Sequence, residues 1–155
     1  SRLDVKGGIK SGKELIKNIS KVEYGTDELS KVAIKYRKAN NITSARRNVC
    51  VVEYRNAEGK IDQKVFASNT SNHSEELMID YLKTNNISGE DVIKIYTERE
   101  PCVETATNVG HNCTKRIIEY TPDAEVTYVV DYGVTQEDGL NVRNILQELL
   151  QKLLN

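Results

Sequence analysis

His73-Ser74-Glu75-Glu76-Leu77-Met78-Ile79-Asp80-Tyr81-Leu82 is followed by Val92-Ile93-Lys94-Ile95-Tyr96-Thr97, then by Pro101-Cys102, then by Cys113-Thr114-Lys115-Arg116-Ile117-Ile118. These four segments set the architecture of the domain. Leu77, Met78, Tyr81 and Leu82 recur at the spacing of a helix with one buried face. That spacing predicts a helix from about Ser74 to Thr84, broken at Asn85-Asn86. Asp91 to Thr97 reads as a strand, rich in β-branched residues. Cys113 to Tyr120 reads as a short helix, and Val126 to Tyr132 as the next strand. Two strands joined through a helix are expected to run parallel.

Upstream, Val49–Tyr54 and Ile61–Ala67 flank the turn signal Asn56-Ala57-Glu58-Gly59, which predicts a hairpin. Before it, Ser11 can cap a helix whose stripe is Leu15, Ile16, Ile19 and Val22, ended by Gly25. A second helix starts at Thr26, with Asp27 and Glu28 in its first turn and Leu29, Val32, Ala33 and Tyr36 inward. Downstream, Glu98 to Asn112 has no periodicity and reads as a loop. Asp138 can cap a final helix bearing Leu140, Ile145, Leu146, Leu149, Leu150, Leu153 and Leu154. The order is α α β β α β α β α. It predicts an α/β fold, a three-layer αβα sandwich whose mixed sheet of four to five strands carries helices on both faces. Residues 1–10, with Gly7-Gly8, read as a lead-in or linker, and 11–155 as one domain.

The composition excludes several classes. With 38% hydrophobic and 29% charged residues, the 155-residue chain is globular and long enough for its own core. A net charge of −1 argues against a bulk polyanion binder, though not against a local basic groove. No apolar run approaches the ~20 residues that span a bilayer, so no membrane partner is expected. No secretory signal is visible at Ser1-Arg2-Leu3-Asp4. The missing initiator Met suggests a piece of a longer chain. Three cysteines fit no disulfide framework. Cys50, inside Asn48-Val49-Cys50-Val51-Val52, reads as a small buried hydrophobe.

His73, Cys102 and Cys113 form the donor set of a catalytic zinc site: one imidazole and two thiolates, with one position open for water. Glu75, two residues after His73 at a helix start, is placed beside the metal rather than on it, where a carboxylate can shuttle protons. Ten residues, Val103 to Asn112, separate the two cysteines. His111 is therefore a rival to Cys113 as third ligand.

In this order, His73-Ser74-Glu75, a strand, Thr97-Glu98-Arg99-Glu100-Pro101-Cys102 and Cys113 before a helix resemble the zinc deaminases, whose signature is H-x-E…P-C-x-x-C. Residues 46 to 132 are similar to the cytidine deaminase-like superfamily, and most like the deaminase domains of bacterial polymorphic toxins. The ten-residue gap departs from the common pattern of two. The resemblance implies zinc held by His73, Cys102 and Cys113, with Glu75 as catalytic proton shuttle. It implies a substrate contact at Asn69, with Asn72 as near, and further contacts at Ser74, Pro101 and His111. It also implies cytosine deamination in nucleic acid, with single-stranded DNA favoured, by the toxin domain of a secreted effector. Such an effector is delivered into a target cell and blocked by a cognate immunity protein. Deamination of RNA or of free nucleosides and nucleotides is the alternative, and a non-catalytic zinc-binding module is another.

From Leu29 to Val52 the chain has no acid but carries Lys31, Lys35, Arg37, Lys38, Arg46 and Arg47. That run can track a phosphate backbone or form a solvated helix face.

Overall fold

A computed structural model of the chain describes residues 3–4, 8–132 and 136–154. Leu3–Asp4 (β1) and Gly8–Ile9 (β2) pair antiparallel as a two-residue ladder.

The main sheet has five strands. The hairpin forms as its turn residues dictate. β4 (Val49–Arg55) pairs antiparallel with β5 (Ile61–Ala67), in register from Val49↔Ala67 to Arg55↔Ile61. Gly59 takes the positive φ of 77° that the turn requires, and Asn56 Oδ1 accepts the amides of Glu58 and Lys60. β6 (Val92–Arg99) lies antiparallel to β4 and parallel to β7 (Glu125–Val130). The parallel pair follows from the intervening helix, as expected.

The Ser11–Val22 helix is corrected. Helix α1 covers only Gly12–Leu15, and Ile19–Lys21 forms strand β3, parallel to β7. Ile16, Ile19 and Val22 are β-branched, and Asn18 and Ser20 are weak helix formers. The free edge of β7 decides between the two conformations. It accepts and donates backbone bonds on this segment, Val22 N to Tyr128 O at 2.7 Å and Val126 N to Asn18 O at 2.8 Å. The strand order is β3-β7-β6-β4-β5.

Alternation along β4 splits the core into two layers. Cys50, Val52 and Tyr54 face Met78, Ile79 and Leu82 of α3 (Ser74–Thr84) and Ile117 of α4 (Cys113–Tyr120). Val49 and Val51 face Leu29 and Ala33 of α2 (Glu28–Asn40) and Leu146 and Leu150 of α5 (Gln136–Leu154). Each fully buried Leu or Ile contributes about 1.5–3 kcal/mol. The fold is thus the expected αβα sandwich. The backbone of α5 is already helical two residues before Asp138, the expected cap. Asn41, at φ 54°, closes α2 in the left-handed conformation.

One ionic group crosses this core. Arg37 of α2 reaches Glu98 of β6 through two bonds, Nε to Oε2 at 2.8 Å and a terminal nitrogen to Oε1 at 2.6 Å. Tyr24 Oη donates to Oε2 at 2.6 Å and the Val49 amide to Oε1 at 2.9 Å. Both charged side chains are fully buried. The carboxylate is saturated, the condition under which a buried pair is tolerated.

Candidate metal centre and active-site cleft

Three chain ends meet at one edge of the sandwich. His73 is the N-cap of α3, Cys102 follows the end of β6, and Cys113 is the first residue of α4. His73 Nδ1 lies 3.4 Å from Cys102 Sγ and 3.5 Å from Cys113 Sγ. The three donor atoms all fall within 4.8 Å of one another, a group that can hold a metal ion. Tetrahedral zinc with ordinary Zn–S and Zn–N bonds spaces its sulfur and nitrogen ligands about 3.6 Å apart. The donor spacing and the two soft thiols fit that ion.

The long gap between the cysteines is closed by backbone bonds. The Cys113 amide donates to Cys102 Sγ at 3.3 Å and the Thr114 amide to Cys102 O at 3.0 Å. Thr114 Oγ1 donates to Pro101 O at 3.0 Å. The start of α4 is thereby strapped onto Pro101-Cys102, and the loop between the two cysteines buries Val103 and Thr105 while exposing Val109. Asn108 ties that loop at both ends, donating to Val103 O and His111 O. Beneath Pro101, Glu100 accepts the amides of Lys13 at 2.6 Å and Tyr132 at 2.9 Å. Gly12 must be glycine here: a Cβ would stand 2.7 Å from both Pro101 O and Thr114 Oγ1. The short helix α1 is therefore part of the platform under the cluster.

Electrostatics match a ligand set. A hydrogen bond with Cys113 and then the His73 imidazole, working against burial, bring the Cys102 thiol down to about 4. The same bond with Cys102 raises Cys113, and the separate hydrogen bond between Cys102 and the His73 ring raises His73. Cys102 is thus an anion that shares a proton with its neighbours, and metal binding releases such protons.

Glu75 is 4% exposed and stands directly behind this group. Burial first, then the Cys102 charge, raises its pKa. Ser74 Oγ donates to Oε1 at 2.7 Å, Thr97 Oγ1 to Oε2 at 3.3 Å and Asn48 Nδ2 to Oε1 at 3.4 Å. A cleft of about 320 Å³ opens over His73, Glu75 and Cys102.

The expected residues divide into two groups. His73, Glu75, Cys102, His111 and Asn69 line the cleft. Asn69 Oδ1 accepts the amides of Ser71 and Asn72 and so shapes the loop. Ser74 and Pro101 do not line it. Ser74 is buried between Asn48 and Glu75, and Pro101 is buried with its carbonyl on Thr114. Cys113 belongs to the donor group with His73 and Cys102. His111 instead takes part in a second group with His73 and Glu76. Its ring stacks on His73 with centroids 4.3 Å apart, and its Nδ1 is bonded to Glu76 Oε2 at 3.0 Å. Glu76 Oε1 also accepts the His73 backbone amide at 2.7 Å, so one carboxylate holds the His111 ring and the backbone that carries His73. Cys50, in the core beside α3, is in neither group.

The basic run does not form one face. Arg37 is consumed by Glu98, Lys31 pairs with Glu28, and Arg47 Nε binds Ser68 O. Of the six, only Arg46 lines the cleft.

Sequence reasoning missed Asn48. Its Nδ2 also donates to Ser74 Oγ and Thr97 Oγ1, both at 2.8 Å, and its Oδ1 accepts the Arg99 amide at 2.9 Å. A carboxamide side chain at the head of an apolar strand was its one visible signal. Arg99, Tyr132 and Arg143, also in the cleft wall, gave none.

None of the described helices is long and apolar enough to cross a membrane. No curated protein and no solved structure matches the chain. A family model described as "Xanthomonas-like deaminase" matches residues 45–150. That span runs from just before Asn48 to Leu150 in α5 and contains every donor of the metal group together with Glu75. The chain belongs to the Xanthomonas-like deaminase family, a deaminase domain of the cytidine deaminase-like type.

Proposed function

We propose that the domain is a zinc-dependent hydrolytic deaminase that converts cytosine to uracil in single-stranded DNA. The observation that carries this reading is a buried carboxylate, Glu75, behind three donor atoms within 4.8 Å of one another, at the floor of a cleft. His73, Cys102 and Cys113 would hold the ion. Zinc bound there supplies Lewis-acid activation of a water molecule. The reaction adds water at C4 of the ring and expels the exocyclic amine as ammonia, so a proton must reach both the ring nitrogen and the leaving nitrogen. Glu75 would carry those protons. Its raised pKa brings it nearer neutrality, which suits a group that accepts and returns a proton. Asn48, Ser74 and Thr97 fix the carboxylate's direction. His111, stacked on His73 at the cleft wall, offers an edge against which a flipped or unstacked base can rest.

The likeness of the motif to toxin deaminases supports a wider setting: the toxin domain of a secreted effector, delivered into a target cell and restrained by an immunity protein. The test is uracil formation in single-stranded DNA, RNA and free cytidine by the zinc-loaded chain and by Glu75→Ala. Uracil in DNA, lost in the variant while zinc is retained, supports the reading. Turnover confined to RNA or free cytidine moves the substrate. Activity that survives in Glu75→Ala rejects the role of Glu75.

A further inference from the structure

Three arginines line the cleft from three separate elements. Arg46 precedes β4, Arg99 ends β6, and Arg143 lies in α5. Topology brings them together. β4 and β6 are antiparallel, so the start of one lies beside the end of the other, and the Asn48–Arg99 bond marks that junction. α5 packs on β7, the next strand.

Among the described residues, the other arginines have partners. Arg37 is paired with Glu98, Arg55 with Asp91, Arg116 with Glu76 and Asp80, and Arg47 is bonded to a carbonyl. Among the described residues, Arg46, Arg99 and Arg143 make no ion pair. The two carboxylates in the cleft wall are occupied elsewhere, Glu100 by two backbone amides and Glu75 by Ser74, Thr97 and Asn48. This convergence occurs in a chain with 23 acids and 22 bases, so it does not reflect a general excess of cations. Burial, followed among the opposing influences by the like charge of Arg143, holds Arg99 below the usual guanidinium range despite Glu75. Guanidiniums held together without a counter-ion are stabilised by an entering anion, and their planar forks match phosphate oxygens.

We propose that Arg46, Arg99 and Arg143 form a phosphate subsite that anchors the group flanking the target base, so that a phosphorylated substrate is bound in preference to a bare nucleoside. A cleft of about 320 Å³ lies near the small end of ligand sites. It accommodates one base with its sugar and leaves the phosphate at the arginine rim. The subsite rests on the deaminase reading only for the identity of the base. The phosphate comes from either a nucleotide monophosphate or a strand backbone, and the two sources are separable by experiment.

The experiment measures fluorescence anisotropy of a fluorescein-labelled single-stranded oligonucleotide with the zinc-loaded Glu75→Gln chain over a range of salt. Arg46→Gln and Arg143→Gln, both at exposed positions, should each weaken binding about tenfold and reduce the slope of log K against log salt by roughly 0.7 per lost contact. Lys35→Gln, on the exposed face of α2, should change neither. Inorganic phosphate should compete. In the Glu75 background the same arginine variants should raise KM for the oligonucleotide with little change in kcat, and should leave KM for free cytidine unaltered. An equal effect on deoxycytidine monophosphate assigns the subsite to a terminal phosphate, and an effect only on oligonucleotides without terminal phosphates assigns it to the backbone. Unchanged affinity and salt slope in both variants, with melting temperature preserved, overturns the proposal. Arginine-dependent binding without uracil formation from any substrate would keep the subsite and remove the deaminase reading instead.

Discussion

Two of the buried carboxylates, Glu98 and Glu75, are built on opposite principles. Around Glu98, every carboxylate lone pair is directed at a donor from the chain itself: Arg37 twice, Tyr24 and Val49. Around Glu75, the donors are two hydroxyls and one long amide contact, and the charge that acts on it most strongly is that of Cys102. The first group is closed and has no chemistry left to offer. The second is under-satisfied and opens on a cleft, which suits the proton exchange proposed for it. Burial alone therefore does not mark a functional acid. Burial with incomplete hydrogen bonding, at a cleft and beside a candidate metal group, is the stronger mark.

The contrast breaks most sharply by substitution at Glu75. Glu75→Gln should lower kcat by about a thousandfold, within the range of lost general acid–base catalysis. Zinc content and melting temperature should stay near those of the parent, since the buried charge is not a source of stability. A variant that loses turnover together with its zinc would show Glu75 to be structural.

Arg37→Met is the complementary change. It leaves Glu98 buried without its cation and should cost about 3–5 kcal/mol. That corresponds to a fall of roughly 10 °C in melting temperature by calorimetry for a chain of this size. Residual folded protein should still bind zinc and turn over substrate. A neutral effect on stability would dissolve the distinction between the two sites.

Metal removal probes the open site from the other side. Dialysis against a chelator should abolish activity, and added zinc should restore it. Zinc in hundredfold excess over its dissociation constant contributes about 2.7 kcal/mol to stability, so the apo chain should melt several degrees lower. Cys102→Ser should mimic the chelated form and should not be rescued by zinc.

The smallest effect belongs to an exposed ionic group. Asp131 lies between Lys13 and Lys21 at 3.3 and 3.2 Å, with its side chain 45% exposed. Partial burial opposes its charge, yet the two lysines hold its carboxyl below the usual range. A depressed folded-state pKa contributes stability above the ordinary carboxylate pKa, and that stability is lost as pH falls through the lowered value. Solvent screening limits it to less than about 1 kcal/mol. Asp131→Asn should lower the melting temperature slightly at pH 7 and not at all at the acid end of that window.

Much of this was legible in residue order. Helix α3, from Ser74 to Thr84, and helix α4, from Cys113 to Tyr120, occupy the spans predicted from their periodicity, because each has one apolar face and polar breakers at its ends. The hairpin was fixed by Asn56 to Gly59 between two strand-like runs. The Ser11–Val22 segment was misread because Ile16, Ile19 and Val22 suit a helix and a strand alike, and only the vacant edge of β7 selects the strand.

The sequence by itself determined the donor types, their order along the chain and the αβα layering, since those follow from side-chain chemistry and local periodicity. Tertiary structure alone decided which atoms meet. It brought Cys113 back across ten residues by hanging the α4 amides on Cys102, and it buried Asn48 behind Glu75. It gave Arg37 to the core and left Arg46, Arg99 and Arg143 facing the cleft. Those outcomes depend on contacts between residues distant in the chain, and neither propensity nor spacing encodes such contacts one segment at a time.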